Sequence, residues 1–453
     1  MSKPLFYASP SVVPADKEST VVLTSKDSCF QFLDELTYDV TVIPREEQDV
    51  PLGDERMLLG YEQHRTVQHL RPVDGKLYVT YFFGGEQEWI IHVSTSEYEP
   101  YQNPMYKEYG LRYWRSRITY PKTGVNVAVY SLGEELYGTL PLRGDLHIHT
   151  DASDGTQSPA LVAAHCRKVG YDFMAVTDHH VYNADAKARE QLAFVNGLQM
   201  LVGEEVHNGY AGVVHMVNIG SRYSVNARYF DHLDEINAAV EALRGTVDVP
   251  TDVDETDYLH RVVLYDEIKK SGGFAIFPHP FWQLGGRYHV GTNMAKAVLK
   301  NHLCDAFEVV GGCANEQNHL QVSLWNQVRA EGMTVPVVGS SDTHSVLGND
   351  PHFGELSTIA FCASDRDVMA AVKCGHSVAV EANRGEQVRA HGELGNVRYA
   401  HFLLRNYFPL HDALCAVAGG MLCDYVLGDE SVKPGIERYE EKISALQKDF
   451  FGL

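Results

Sequence analysis

The stretch GDLHIHTDASDG at residues 144–155 is the most informative part of this chain. Apolar and polar residues alternate through its first half, which is typical of a β-strand, so that His147 and His149 share one face. Asp154 follows five residues later. Imidazole and carboxylate groups are ligands of divalent metal ions. A lone His-x-His pair is equally compatible with a polar strand edge, so a metal site requires further ligands elsewhere in the chain.

The composition indicates a globular protein that does not bind nucleic-acid polymers. A length of 453 residues predicts two or three domains, and 44% hydrophobic with 22% charged residues is ordinary for a globular chain. The 60 acidic and 38 basic residues give a net charge of -22, whereas a nucleic-acid groove needs a basic stripe. A small anionic substrate remains compatible with this charge, because a bound metal ion reverses the field locally.

Targeting and redox signals favour the cytoplasm. The first 20 residues contain no apolar run of signal-peptide length, and no stretch approaches the ~20 apolar residues that a membrane helix requires. The eight cysteines occur singly, without a Cys-x-x-Cys pair. We therefore expect free thiols in a cytoplasmic protein without membrane association, and no cysteine-based zinc site.

Residues 1–140 predict an all-β, sandwich-like domain. Short segments rich in Tyr, Val and Ile alternate apolar and polar residues, and no long helical pattern interrupts them. These segments are TYDVTVIP (37–44), KLYVTYFFGGEQEWIIHVS (76–94), RSRITYP (115–121) and VNVAVYSL (125–132). The Gly84–Gly85 pair predicts a hairpin turn.

Residues 141–385 predict an α/β domain with a parallel sheet that closes into a barrel, because short apolar strands alternate with helical stretches. In SPALVAAHCRKVG (158–170), Ser158 suits a helix N-cap, Pro159 the first turn and Gly170 the C-terminal stop. Residues 386–453 predict a partly helical C-terminal extension that packs on the barrel or on a partner subunit. Within it, NVRYAHFLLRNYF (396–408) is compatible with a strand or a helix.

Potential metal ligands follow nearly every apolar strand of the 141–385 region. The carboxyl ends of parallel barrel strands share one rim, so distant residues can meet there in one cleft. Single members have ordinary explanations, such as a turn for Asp154 or a helix cap for Asp342, but these must all coincide at strand ends. The candidate ligands are His147, His149, Asp154, His179, Glu205, His215, His279, Asp342 and His344. This set without thiolates suits two or three ions of Zn, Mn or Fe.

The same residues carry a family resemblance. The motifs HIHTDASDG (147–155), VTDHH (176–180), GEEV (203–206) with His215, PHP (278–280) and SDTH (341–344) resemble the PHP superfamily of metal-dependent phosphoesterases (polymerase and histidinol phosphatase). The resemblance implies a distorted (β/α)7 barrel and covers a little over half of the chain. GEEVHNGYAGVVHMVNIG (203–220) is most similar to the branch that includes bacterial carbaryl hydrolases, whose members can carry an N-terminal β domain.

The resemblance also implies three sets of ligands, with Glu204 as the alternative to Glu205. The first set is His147, His149, Glu205 and Asp342; in the second, Glu205 bridges to an ion held by His215 and His279; the third is Asp154, His179 and His344.

Metal coordination lowers the pKa of water from ~15.7 to ~7, so we expect a metal-bridging hydroxide as nucleophile. Three divalent ions among three carboxylates leave a local charge of about +3, which attracts an anionic ester. Asp178 is expected to orient a ligand histidine. The candidates for the remaining roles are His180, His207 and His289 as proton donors, Arg287 as a phosphate clamp, and Trp282 and Tyr288 as pocket walls.

The sequence therefore predicts a metal-dependent hydrolase, in the first place a phosphoesterase acting on small phosphomonoesters or phosphodiesters. One alternative is a carboxylic ester or carbamate hydrolase, because the same nucleophile can attack a carbonyl carbon. The other is a metal-bound binding or regulatory module with little turnover.

Overall fold

The computed structural model describes residues 6–25, 32–46, 67–95, 124–208, 214–348 and 350–453. The chain forms two compact units. One comprises Met1–Gly138, His401–Leu410 and Ala445–Leu453, and the other comprises Thr139–Ala400 and His411–Ser444. The first change of unit lies close to the predicted border at residue 140. Residues 386–453, in contrast, do not form a separate extension but are divided between the two units.

The first unit contains two β-sheets that share a core. Its described strands are β1 (Phe6–Ser9), β2 (Val12–Pro14), β3 (Lys17–Ser25), β4 (Tyr38–Pro44), β5 (Val67–Leu70), β6 (Leu77–Phe83), β7 (Gln87–Ser94) and β8 (Val125–Leu132). The sheet orders are β1-β3-β6 and β2-β8-β7-β4-β5. Val21 of one sheet and Val40 and Ile91 of the other belong to the same buried cluster. Alternation along β4, β6 and β7 thus buries one face, as the sequence predicts, while the sandwich class itself stays a prediction.

The hairpin predicted at Gly84–Gly85 is wrong. Strand β6 pairs with β3 and strand β7 pairs with β4 and β8, so the two strands that flank the glycines lie in different sheets. At the glycine pair the chain passes from one sheet to the other, and the two flanking strands do not pair with each other. The predicted segment RSRITYP (115–121) lies outside the described residues.

The second unit contains a ten-stranded sheet and a small hairpin. Its strands are β9 (Leu140–Ile148), β10 (Phe173–Val176), β11 (Gln199–Asn208), β12 (Val214–Ile219), β13 (Phe274–Phe277), β14 (Gln283–Leu284), β15 (Arg287–Tyr288), β16 (Ala306–Val310), β17 (Val337–Gly339), β18 (Leu356–Cys362), β19 (Ser377–Glu381) and β20 (Arg389–His391). The sheet order is β17-β16-β13-β12-β11-β10-β9-β18-β19-β20, with β14 and β15 paired separately.

The large sheet is mixed, which corrects the prediction of parallel strands only. Strands β9, β10 and β11 are parallel, as are β13, β16 and β17, but β12 runs antiparallel to both of its neighbours and β18 to β9. The sheet is nearly closed like a barrel, because the Gly339 N–H donates to Thr358 Oγ1 (3.0 Å) and Ser377 Oγ to the Val337 carbonyl (2.8 Å). The mixed α/β class is confirmed, and the (β/α)7 count stays a prediction.

The described helices are α1 (Pro159–Lys168), α2 (Ala186–Gln191), α3 (Val225–Asp231), α4 (Leu233–Leu243), α5 (Glu255–Ser271), α6 (Thr292–Lys300), α7 (Asn315–Ala330), α8 (Val368–Lys373), α9 (Leu394–Asn406), α10 (Phe408–Val426) and α11 (Lys433–Phe451). None of them is both long and apolar enough to span a membrane. Helix α1 begins as predicted, because Ser158 accepts a hydrogen bond from the Leu161 N–H and Pro159 occupies the first turn. The ambiguous segment at 396–408 is helical.

Candidate metal centre

The nine predicted ligands lie at one end of the ten-stranded sheet. His147 and His149 lie at the end of β9, Glu205 lies in the second half of β11, and most of the others follow β10, β13 or β17. His215 is different, because it is the second residue of β12. Since β12 runs antiparallel to β11 and β13, its start lies where theirs end. The antiparallel strand therefore delivers its ligand to the same rim.

The structure brings these side chains into three groups, two of which share His149. Within each group, every residue offers one ligand atom, and these atoms all lie within 4.8 Å of one another. The groups are His147, His149, Glu205 and Asp342; His215, His279 and His289; and His149, Asp154, His179 and His344. Two differences from the expected sets stand out, since His149 belongs to two groups and His289 joins His215 and His279.

Glu205 connects two of the groups. Its Oε1 lies 2.7 Å from His215 Nδ1 and 3.3 Å from His279 Nε2, and its Oε2 lies 3.3 Å from His147 Nε2. Asp342 Oδ1 lies 3.2 Å from His147 Nε2 and 3.1 Å from His149 Nε2. Glu205 is almost fully buried. A carboxylate enclosed by imidazoles in this way is placed to bridge two cations.

The geometry separates Glu205 from the alternative ligand Glu204. Successive strand residues point to opposite faces of a sheet. The Glu204 carboxylate accepts hydrogen bonds from Asn218 Nδ2 (2.9 Å), Ser224 Oγ (2.7 Å) and the Val225 N–H (2.6 Å). Glu204 thus anchors the start of α3, and Glu205 faces the cluster.

The donor atoms of the cluster fit a divalent ion. Buried polar atoms in proteins nearly always have a hydrogen-bond partner. Among the described residues no hydrogen-bond partner exists for the buried atoms His149 Nδ1, His179 Nδ1, Glu205 Oε1, His215 Nδ1, His279 Nδ1 and both ring nitrogens of His289. His215 Nδ1 and Glu205 Oε1 approach each other closely without hydrogen-bond geometry. Convergent lone pairs of nitrogen and oxygen are the environment that Zn, Mn or Fe(II) prefers.

The electrostatics of the cluster agree with a site for cations. Burial opposes the charged form of His149, but Asp342 and Glu205 raise its pKa to about 9. The carboxyl of Asp342 is buried too, yet the surrounding histidines His147, His279 and His149 hold its pKa below the usual range. For His289, burial together with the neighbouring His215 and His279 lowers the pKa to about 2. This environment favours the neutral imidazole, which is the form that binds metals.

Glu308 supports the cluster and was missed by the sequence analysis. His147 Nδ1 lies 3.0 Å from Glu308 Oε2, and both side chains are fully buried. When Nδ1–H donates to the carboxylate, Nε2 is left as the ligand atom. The signal in the sequence was a single acid inside the apolar strand DAFEVVGG (305–312).

Asp145 is a second missed residue. Its carboxylate accepts hydrogen bonds from Ser341 Oγ (2.5 Å), the Ser341 N–H (3.1 Å) and the His147 N–H (3.1 Å). Burial raises its pKa to about 7. Asp145 thus ties strand β9 to the segment that carries Asp342.

Asp178 does not orient a ligand histidine, contrary to the prediction. Its carboxylate accepts hydrogen bonds from the Thr150 N–H (2.7 Å), Thr150 Oγ1 (2.6 Å) and Ser153 Oγ (2.6 Å). It therefore holds the loop that carries Asp154. The same loop needs Gly155, because a Cβ there would lie 2.6 Å from the His149 carbonyl.

Three residues of the site have strained backbone conformations. The φ angles of His180, His279 and Asp342 are +59°, +25° and +49°. Residues other than glycine rarely adopt positive φ, and such strain concentrates at functional sites. Packing of the surrounding residues must offset the conformational free energy that these backbone angles cost.

A cavity of about 500 Å³ opens onto the cluster. Its lining residues are Ser153, Asp154, His179, His180, His207, His215, Trp282, Leu284 and His289. No lysine or arginine belongs to this lining in the described part of the chain. His180 is exposed at the cavity, 3.4 Å from His207 Nδ1. Arg287 and Tyr288, in contrast, are exposed on β15 and do not line the cavity.

Comparisons with known proteins give distant similarities. No protein-family model matches the chain. The DNA polymerase/3'-5' exonuclease PolX of Bacillus subtilis (strain 168) is 37% identical over 83 residues, which span 18% of this chain and 14% of that protein.

Three solved structures are similar over about half of the chain. A two-domain protein of Bacteroides vulgatus, named as containing a PHP-like metal-dependent phosphoesterase, is 18% identical, with coverages of 53% of this chain and 65% of that one and a TM-score of 0.38. A protein of Bifidobacterium adolescentis, named as a metal-dependent phosphoesterase, is 19% identical. The match covers 50% of this chain and 95% of that one, with a TM-score of 0.34. An amidohydrolase of Chromobacterium violaceum is 19% identical. The match covers 54% of this chain and 99% of that one, with a TM-score of 0.31.

The carbaryl-hydrolase branch stays a prediction.

Proposed function

We propose that this chain is a metal-dependent phosphoesterase of the PHP type, with a barrel derived from the (β/α)7 fold, that hydrolyses small phosphomonoesters or phosphodiesters. One observation carries the proposal: histidines and carboxylates from positions 147 to 344 converge in three groups, two of which share His149, while Glu205 contacts both His147 and His215. Structural ion pairs rarely need this many imidazoles in one buried place.

The three groups would hold two or three divalent ions of zinc, manganese or iron. When bound, such ions supply a Lewis acid and a water that is nucleophilic at neutral pH. The protein itself contributes orientation, since Glu308 fixes the ring of His147 and Asp145 fixes the backbone beside it. Fixed ligands keep the reacting groups aligned with a bound ester.

The residues at the cavity supply the remaining roles. His180 and His207 lie together at its wall, where either can donate a proton to a leaving alkoxide. Trp282 and Leu284 form an apolar side of the cavity that suits the organic part of an ester. Arg287 does not belong to the cavity lining, so we do not assign it as a clamp.

A carboxylic ester or carbamate is the second candidate substrate. The observation in its favour is the absence of lysine and arginine from the described lining, because phosphate sites commonly contain such a cation. A neutral ester needs no clamp, and the apolar wall would contact its alcohol or amine part.

The test combines metal analysis with an ester panel. We expect Glu205→Ala and Asp342→Ala each to lose at least one equivalent of metal and nearly all hydrolysis while keeping the fold by circular dichroism. Glu204→Gln is the matched control, because Glu204 is equally buried but bonds away from the cluster. Metal content is measured by elemental analysis. Retention of full metal content and rate in the Ala variants would contradict the assignment.

The panel distinguishes the candidates. p-Nitrophenyl phosphate and bis-p-nitrophenyl phosphate test the phosphoesterase, and p-nitrophenyl acetate and a naphthyl carbamate test the second candidate. Metal-loaded protein that is inert towards all four would favour the binding module with little turnover.

A further inference from the structure

We propose that His289 is a metal ligand of the group that contains His215 and His279, and that this bond fixes the hairpin forming one wall of the cavity. The inference rests on the proposed function, because it requires that the cluster binds ions. It adds a ligand that the motif pattern does not contain, and it connects metal loading to the shape of the substrate pocket.

The position of the His289 ring supports a ligand role. The side chain is only 7% exposed. Its ring centroid lies 4.3 Å from that of His215 and 5.9 Å from that of His279, and one of its nitrogens belongs to their ligand group. Neither ring nitrogen has a hydrogen-bond partner within the described ranges. A buried polar group without a hydrogen-bond partner destabilises the folded state, so a purely structural histidine at this place would be unfavourable.

His207 shows that proximity to His215 does not by itself make a ligand. Its ring centroid lies 4.8 Å from that of His215, nearly as close as that of His289. Yet its Nδ1 contacts His180 Nε2 at 3.4 Å, and it belongs to no ligand group found in the described residues. His207 is therefore a matched control for His289.

The hairpin begins and ends at two members of the same group. After His279, the Trp282 N–H donates to the His279 carbonyl (3.0 Å). On the return strand, the His289 N–H donates to the Trp282 carbonyl (2.7 Å) and the Val290 N–H to the Pro280 carbonyl (2.8 Å). A ligand bond at each end would thus tie both legs of the hairpin to one cation.

The part of the hairpin beyond these bonds is exposed. Residues 283–288 include β14, β15 and the turn glycines Gly285 and Gly286, which have positive φ. Leu284 of this segment and the adjacent Trp282 line the cavity. Fixing His289 therefore fixes the apolar wall against which the organic part of an ester would pack.

The first test measures binding of Zn²⁺ and Mn²⁺ to the metal-free full chain by calorimetry. We expect His289→Gln to lose one equivalent of metal, or to bind one equivalent at least about 10-fold more weakly than the wild type. A loss of about 10-fold in affinity is at the lower end of the range that changes around metal sites cause. His207→Gln should bind as the wild type does. His289→Asp should retain the ion, because a carboxylate can replace imidazole as a ligand, and it also serves if the Gln variant does not fold.

The second test measures hydrogen exchange of the amides of residues 282–290. We expect metal to slow their exchange in the wild type and in His207→Gln, but not in His289→Gln. Equal stoichiometry and affinity in wild type and His289→Gln, or an equal exchange response, would overturn the inference and leave the proposed function intact. Failure of the wild type to bind any ion would instead overturn the proposed function.

Discussion

Glu308 shows how a residue outside the ligand groups can control them. Its carboxylate holds His147 Nδ1 at 3.0 Å in a fully buried position. We predict that Glu308→Gln weakens metal binding by about 10- to 100-fold, because the amide orients the imidazole less firmly and lowers its basicity. Calorimetric titration of the metal-free protein measures the effect.

Glu204→Gln is the control for this prediction. Glu204 is just as buried, but its partners are Asn218, Ser224 and Val225. The control should therefore change stability without changing the affinity for metal. Equal affinities of Glu308→Gln and wild type would show that the contact with His147 has no such role.

The loop that follows β9 depends on Asp178 at the end of β10. Three hydrogen bonds to Thr150 and Ser153 hold it in place. We predict that Asp178→Asn destabilises the protein by about 1–3 kcal/mol, since an amide cannot accept all of these bonds. It should also weaken the ion bound by Asp154, His179 and His344 while leaving the other ions in place.

Urea unfolding and metal titration together measure both effects of Asp178→Asn. Asp151→Asn is a suitable comparison, because Asp151 is exposed in the same loop. If Asp178→Asn lost all ions together, the loop would not be the element that Asp178 supports.

Elements with local signals could be predicted from the sequence, and pairings between distant strands could not. Ser158, Pro159 and Gly170 mark the helix α1 because capping depends on neighbouring residues. The direction of β12 and the sheet change at Gly84–Gly85 depend on partners far along the chain, which alternation does not reveal. The type of each element could thus be predicted from the sequence, whereas the topology of the sheets could not.

At the scale of the whole molecule, a buried ion-pair network holds the part of helix α11 that belongs to the second unit. The Arg167 guanidinium is fully buried and donates to both oxygens of Glu440 (2.8 and 2.7 Å) and to Asp172 (3.1 Å). We predict that Glu440→Gln lowers the free energy of unfolding by about 3 kcal/mol, because it leaves a buried cation partly uncompensated.

Urea unfolding of metal-free protein tests this prediction. The exposed neighbour Glu441 provides the comparison, since Glu441→Gln should change the free energy of unfolding by less than about 0.5 kcal/mol. Equal effects of the two substitutions would mean that the network contributes nothing specific.

The candidate site was accessible from the sequence to the extent that its residues follow strands in recognisable motifs. All nine predicted ligands fall in the three groups. The sequence did not place three residues at the cluster, namely His289, Glu308 and Asp145. A hairpin brings the first to the cluster, and contacts across the sheet bring the other two, and neither can be recognised from neighbouring residues. Asp178 was assigned the wrong partner for the same reason, since side-chain direction follows from packing.

Because the cluster draws on positions 147 to 344, it cannot be assembled while the protein is only partly synthesised. A nascent chain that ends before Asp342 lacks the carboxylate that lies 3.2 Å from His147 Nε2 and 3.1 Å from His149 Nε2. Until translation passes His344, the ligand histidines of the emerging polypeptide remain exposed to water. In that state they can bind other cations present near the ribosome.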